Sequence, residues 1–392
     1  MISNNNILLA WFLILALSFN YACKQKIVSP RGEYKGKPPL EFTNFSHLPG
    51  DNYNFSKSYN GRYQQRLDER SIQLFDSLDI TGITASVAFR DSGIWRLDTG
   101  VADLQTGTKV DNNTVFHWAS VGKLVTSTII HQLIEEGKLN KHSKLSYWYP
   151  EFPEADMIRI HQLLNHTSGI YSFNSDSVLR KKLDYTSPEE QIEIARINGN
   201  LFYPGEYWSY SNTNYTFLGL IIESITGKPF HEVVQERIVN PLNLKKFRAL
   251  SPREQPENLA VPRIDEYTAL PDYSVPFSAG NIVSDSREMI QFLHAMLSGK
   301  LLKVTTIEEM LTNPFGMFGD NVQYYGDGIM VYSFEPDRSD HIWIGHSGGF
   351  ENYKALVAYS YESEAFAAVS INQDVSAASF VYQLFATFEL DE

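Results

Sequence analysis

From Arg66 to Leu78 the apolar positions Leu67, Ile72, Leu74, Phe75 and Leu78 recur on one side of a 3.6-residue period, which predicts a helix. The period then changes. Ile83 to Phe89 and Ile94 to Asp98, separated by Asp91-Ser92-Gly93, predict a β-hairpin that opens a sheet. Between residues 121 and 136, Val121, Leu124, Val125, Ile129 and Leu133 return to helical spacing, and Gly137 is placed to end that helix as its left-handed cap. Ser120 therefore stands at a helix N-terminus.

The middle of the chain, about 155 to 270, reads as helical and loop-rich. Ser187-Pro188-Glu189-Glu190 combines a capping box with proline in the first turn, and a further helix is expected from about Tyr215 to Thr226. After Ser278 a helix over Glu288 to Leu297 precedes strand-like runs at Gly328 to Phe334, His341 to Ile344, Ala355 to Tyr359 and Ala365 to Ile371, then a final helix. Two parts of one sheet thus flank a helical insert, and no internal repeat is visible.

The N-terminus follows a different pattern. Ile7 to Phe19 is apolar throughout apart from Ser18, and no charged residue precedes Lys24. The run is shorter than the ~20 residues that span a bilayer, and it ends at Ala22-Cys23, so residues 1–22 are expected to be an export signal. Cys23 is the only cysteine. It has no internal disulfide partner, and its place suggests a lipidated bacterial N-terminus: an exported, periplasmic or membrane-anchored lipoprotein. A plain signal peptide or an uncleaved anchor remains the alternative. Residues 23–61, rich in Gly, Pro, Asn, Ser and Tyr, read as a tether or an irregular arm.

With 392 residues, 43% of them hydrophobic, the chain has enough apolar mass for a large core. A net charge of -13 excludes nucleic acid as an expected partner, since phosphate binding needs clustered Lys and Arg. A small-molecule or peptide substrate fits better, with no cofactor and no metal expected. His161 and His166, or His341 and His346, lack helical i, i+4 spacing and a third ligand. His166, in Asn-His-Thr-Ser-Gly, reads as a structural hydrogen-bonding residue at a helix end.

Three short motifs carry chemistry. In Ser120-Val121-Gly122-Lys123 the i, i+3 spacing puts hydroxyl and amine on one helical face, where a buried lysine of lowered pKa accepts the serine proton. Tyr210-Ser211-Asn212 precedes the helix near Tyr215, and His346-Ser347-Gly348-Gly349 ends the His341-Ile-Trp-Ile strand. In this order the motifs resemble those of the serine β-lactamase and penicillin-recognising superfamily, in the branch of class C β-lactamases, D-alanyl-D-alanine carboxypeptidases, D-aminopeptidases and esterases. The likeness extends over roughly residues 80 to 385, through Gly100-Val-Ala-Asp-Leu-Gln-Thr-Gly-Thr, Thr114-Val-Phe-His-Trp-Ala, Ile160-His-Gln-Leu-Leu-Asn-His-Thr-Ser-Gly169 and Ser278-Ala-Gly-Asn-Ile-Val-Ser284.

The resemblance implies an α/β, β-lactamase-like fold: an antiparallel sheet flanked by helices over 62–154 and 275–392, with an inserted all-helical domain over 155–274. It implies Ser120 as nucleophile, Lys123 and Tyr210 as the proton-transferring pair, and Asn212 as the residue that orients Lys123 and the substrate amide. The backbone N–H groups of Ser120 and Gly349 would form the oxyanion hole, and His346, Ser347 and Gly348 would bind substrate. Which of Lys123 and Tyr210 takes the first proton stays open. Loops near Asp272 to Asn281 and Asn313 to Tyr325 are expected to line the cleft.

Where β-lactamases of this branch carry Lys-Thr-Gly, this chain has His346-Ser347-Gly348, whose imidazole supplies no permanent charge for a substrate carboxylate. The expectation is therefore a peptidase or esterase rather than an efficient β-lactamase. Gly345-His346-Ser347-Gly348-Gly349 also fits the α/β-hydrolase nucleophile elbow, but all ten histidines lie at or before position 346, so none follows that serine. A non-catalytic or penicillin-binding sensor module of the same fold is the rival from another functional class.

Overall fold

The computed structural model describes residues 28–29, 32–43, 45–176, 185–264, 272–319, 322–334 and 341–389. The expected export segment 1–22 and Cys23 lie outside the described residues. Strands β1 (Val28–Ser29) and β2 (Gly32–Glu33) pair with each other. Within the span expected as a tether or arm, the chain has no regular structure from Tyr34 to Gly50 among the described residues, yet it lies against the body. Phe42 is buried, Leu40 N–H donates to Pro314 O at 2.9 Å, and the Tyr53 hydroxyl donates to Glu364 O at 2.6 Å.

Helix α1 (Gln64–Ser77) leads into β3 (Gly82–Phe89) and β4 (Gly93–Asp103), joined by the expected turn, then β5 (Thr108–Lys109) and β6 (Phe116–His117). Next come α2 (Gly122–Glu135), α3 (Ile160–Leu164), α4 (Pro188–Asn198), α5 (Asn212–Thr226) and α6 (Phe230–Val234). β7 (Arg248–Ala249), β8 (Ile282–Ser284), α7 (Ser286–Leu297), α8 (Val304–Leu311), β9 (Phe315–Gly316), β10 (Gln323–Tyr325) and β11 (Met330–Ser333) follow. The chain closes with β12 (Ile342–Phe350), β13 (Tyr353–Ser360), β14 (Ala365–Ile371) and α9 (Ala377–Glu389).

The main sheet has nine antiparallel strands in the order β5-β4-β3-β14-β13-β12-β11-β10-β9. The hairpin β3-β4 therefore joins the sheet through β14, and both ends of the chain build it. Antiparallel strands usually alternate apolar with polar, but β14 is buried at every position. Both of its faces are covered: Ala367, Val369 and Ile371 meet Phe380, Leu384 and Phe385 of α9, while Phe366 and Ala368 join the cluster containing Met289, Ile290 and Leu293 of α7.

Three differences from expectation bear on the site. α5 begins at Asn212, three residues before Tyr215. The expected helical insert also carries β7, which pairs with β8 and, through it, with β6 in a small second sheet. The strand expected to end at Ile344 runs on to Phe350, so the His346-Ser347-Gly348-Gly349 motif lies inside β12 rather than after it. Pairing with β13 holds it there, and Gly345 permits the approach, because a Cβ at that position would stand 1.9 Å from Val357 O.

Candidate active site

Ser120 lies in a 3-10 turn, Ala119–Val121, that feeds α2. The turn is anchored from both sides. Trp118 N–H donates to Ile282 O at 2.9 Å and its indole N–H to Ser284 O at 3.1 Å. Buried His117 donates from Nε2 to Tyr273 O at 3.1 Å, which leaves Nδ1 to accept the Ala119 N–H at 3.1 Å. Burial pushes the pKa of this ring down to about 4, so it stays neutral and keeps that tautomer. These bonds hold Ala119 at φ +48, a left-handed conformation that costs a non-glycine residue about 1–2 kcal/mol. Gly348 of β12 packs directly on the turn: a Cβ there would lie 2.3 Å from Trp118 O and 3.0 Å from Ser120 N.

Lys123, the second residue of α2 and one turn on from Ser120, is wholly buried. Its Nζ is 3.2 Å from Ser120 Oγ, 2.6 Å from Asn212 Oδ1 and 2.8 Å from Ala279 O. Among the described residues no carboxylate pairs with it, and burial alone holds its pKa well below the usual lysine value. A neutral amine has two hydrogens and one lone pair. The amide and peptide oxygens accept the two hydrogens, which turns the lone pair to the Ser120 hydroxyl, the one partner able to donate. Asn212 is fixed in turn: its N–H donates to Ser172 Oγ at 2.9 Å and its Nδ2 to Asn174 Oδ1 at 3.0 Å.

Tyr210 precedes α5, half-buried, with Ser120 close enough to act on its pKa against the larger effect of burial. Burial raises its pKa, so it is a phenol and not a phenolate at neutral pH. Lys123 Nζ stands 4.9 Å from the Tyr210 ring and 5.3 Å from that of Tyr215. His166, at φ +63 just beyond α3, is fully buried and backs the Tyr210 ring at 4.3 Å. Its Nδ1 accepts from Ser211 N–H and Asn214 Nδ2, each at 3.2 Å, so the structural role expected for it is also a role beside the site.

A cavity of about 260 Å³ opens in front of Ser120, with Asn174, Asn212, Ala279, Gly349 and Glu351 among its lining residues. Ser120, Lys123, Tyr210, Asn212 and Gly349 are thus brought together. His346, Ser347 and Gly348 are not among the lining residues. His346 and Gly348 share a face of β12, and that face is filled: His346 donates from Nδ1 to Ser347 O at 2.5 Å and accepts at Nε2 from the Tyr325 hydroxyl at 3.0 Å. Burial pushes its pKa down to about 3. The Ser347 hydroxyl meets Met330 Sδ at 3.5 Å. These three residues, expected to bind substrate, therefore stand outside the described cavity lining. Val275, Pro276 and Ala279, from the loop expected to line the cleft, do line it, whereas Tyr325, at the end of the second expected loop, stands behind Tyr210 at 5.9 Å between rings.

Residues 67–392 match the family model described as Beta-lactamase. The chain is 28% identical to esterase EstB of Burkholderia gladioli, over 51% of this chain and 54% of that protein, and 30% identical to penicillin-binding protein 4 of Amycolatopsis lactamdurans, over 42% and 44%. It thus spans about half the length of these curated relatives. Among solved structures, D-amino acid amidase from Ochrobactrum anthropi SV3 in complex with D-phenylalanine superposes with a TM-score of 0.74, covering 83% of this chain and 100% of that one at 21% identity. At that identity the likeness speaks for the fold.

Proposed function

The chain belongs to the Beta-lactamase family, and from that premise we propose that it is a serine hydrolase that cleaves amide or ester carbonyls through an acyl-enzyme on Ser120. The observation that carries this reading is the fully buried Lys123 amine, 3.2 Å from Ser120 Oγ, with its other contacts made to two obligate acceptors. Neutral Lys123 takes the Ser120 proton as Oγ bonds to the carbonyl carbon. Burial moves Lys123 down and Tyr210 up, so the first proton goes to the amine and not to a phenolate. The oxyanion is held between the N–H groups of Ser120 and Gly349, where losing one donor typically costs ~3 kcal/mol. Tyr210 then passes a proton to the leaving group and is replenished from Lys123. Water attacks the acyl-enzyme by the same route in reverse.

The names of the curated relatives, an esterase and a teichoic acid D-alanine hydrolase, support carbonyl hydrolysis as the reaction class. Export and lipidation at Cys23 belong to the same proposal, and the apolar run Ile7 to Phe19 supports them. Labelling by a lipid precursor in the parent and its loss in Cys23→Ser would test that part. For the chemistry, the purified protein is treated with a fluorophosphonate and with p-nitrophenyl esters. An adduct on Ser120 and multiple turnovers are expected, and both vanish in Ser120→Ala. Labelling without turnover points to the sensor, and full activity of Ser120→Ala removes the assignment.

A further inference from the structure

Among the described residues that line the cavity, one carries a formal charge: Glu351. Its polar neighbours there, Asn174, Thr186 and Asn212, are neutral. The basic side chain at the reaction centre, Lys123, is buried, bonded to Asn212 and Ala279, and is not among the lining residues. Glu351 and Asn352 form the two-residue turn between β12 and β13, since Phe350 pairs with Tyr353. Glu351 has φ +47, and turns of this kind favour Gly, Asn or Asp at such a position. A longer acid is held there, exposed and in the lining of the serine site. Strain borne at the rim of a reactive cavity directs attention to a functional role. No Lys, Arg or His among the described residues lies within ion-pair distance of this carboxylate. The excess of acid over base in the whole chain adds a field of the same sign.

We propose that Glu351 is a specificity-determining residue that selects substrates with a protonated amine beside the scissile carbonyl, namely aminoacyl esters or amides, over N-acylated or carboxylate-bearing ones. This rests on the serine-hydrolase reading above. The amine is held by charge at the cavity mouth while the carbonyl meets Ser120, and a substrate carboxylate placed there is repelled. The gain is about fivefold, the size of an ion pair at a partly open surface.

The test compares kcat/KM at neutral pH for both enantiomers of alanine p-nitroanilide and for their N-acetyl derivatives. Glu351→Gln is expected to lower the ratio of free-amine to N-acetyl substrate about fivefold, and Glu351→Lys to lower it further. An unchanged ratio in both variants overturns the proposal. Calorimetry of alanine amide binding to Ser120→Ala, with and without Glu351→Gln, reads the same contact without turnover. An affinity weakened about fivefold supports it and equal affinity overturns it. Turnover that persists in Ser120→Ala counts against the serine-hydrolase reading, and the binding experiment then decides the amine contact alone.

Discussion

Lys123 Nζ stands 3.2 Å from Ser120 Oγ in a site where burial, with no carboxylate in partnership among the described residues, holds the amine's pKa well below the usual lysine value. Tyr210 stands beside the same serine and has the opposite tendency, its pKa raised by burial. If the three groups pass one proton between them, removing either partner breaks the whole relay. Lys123→Ala and Tyr210→Phe are each expected to lower kcat/KM for a p-nitrophenyl ester by about 10²–10⁴-fold. The double variant should lose little more than the worse single one. Strictly multiplicative losses would indicate separate roles.

The burial of Lys123 has a thermodynamic signature. In the unfolded chain this lysine holds its proton up to about pH 10.4, while in the fold it gives it up well below that. Between the two values the unfolded state binds one proton more, so this group makes stability rise with pH, by up to about 1.4 kcal/mol per pH unit. The cost of burial is present at lower pH and relieved on going up. Urea unfolding of the parent and of Lys123→Met, followed from about pH 8 to 9.5, should show the parent gaining on the variant. Parallel slopes would mean that the folded protein keeps this lysine charged.

Periodicity revealed the elements whose packing is one-sided or regular. The helix ending near Gly137, the Asp91-Ser92-Gly93 hairpin and the bounds of β14 were all legible. β12 was not, because His346-Ser347-Gly348-Gly349 has two glycines and two polar residues. It is a strand through its pairing with β13 and the close approach of Gly348 to Trp118 O. Ser120, Lys123, Tyr210 and Asn212 could be found because their side chains announce their chemistry. The Ala279 carbonyl that fixes Lys123 has no side-chain signature, and Tyr325 behind His346 is one of 22 tyrosines with nothing local to mark it.

Gly348 and Gly349 are neighbours with different demands. A Cβ on Gly348 would enter the Trp118–Ser120 backbone, whereas on Gly349 the nearest atoms would be the flexible end of Lys354, 3.6 Å away. Gly348→Ala must push β12 off the nucleophile turn and misplace an oxyanion donor, with an expected loss of about 100-fold or more in kcat. Gly349→Ala keeps its N–H and should stay within about tenfold of the parent. Equal tolerance at both positions, measured with circular dichroism to verify folding, would show that the turn yields.

The third motif decides what this site does with anionic substrates. In place of a lysine it offers His346, buried against Tyr325 and Ser347 O with its pKa pushed down to about 3, so it remains uncharged through the physiological range. The described cavity lining adds only the negative charge of Glu351. A cephalosporin brings a carboxylate to this surface and finds no cation among the described lining residues to receive it, although its carbonyl is open to the same serine chemistry. Nitrocefin turnover is therefore expected to be weak or absent near neutral pH, with kcat/KM at least tenfold below that for an aminoacyl amide or a p-nitrophenyl ester, a difference of ~1.4 kcal/mol or more. Because His346 stays neutral, lowering the pH from about 8 to about 6 should not raise cephalosporin turnover. Efficient nitrocefin hydrolysis without esterase or amidase activity, or a rise on acidification through that range, would mean that a positive charge reaches the substrate from a residue given no such role here.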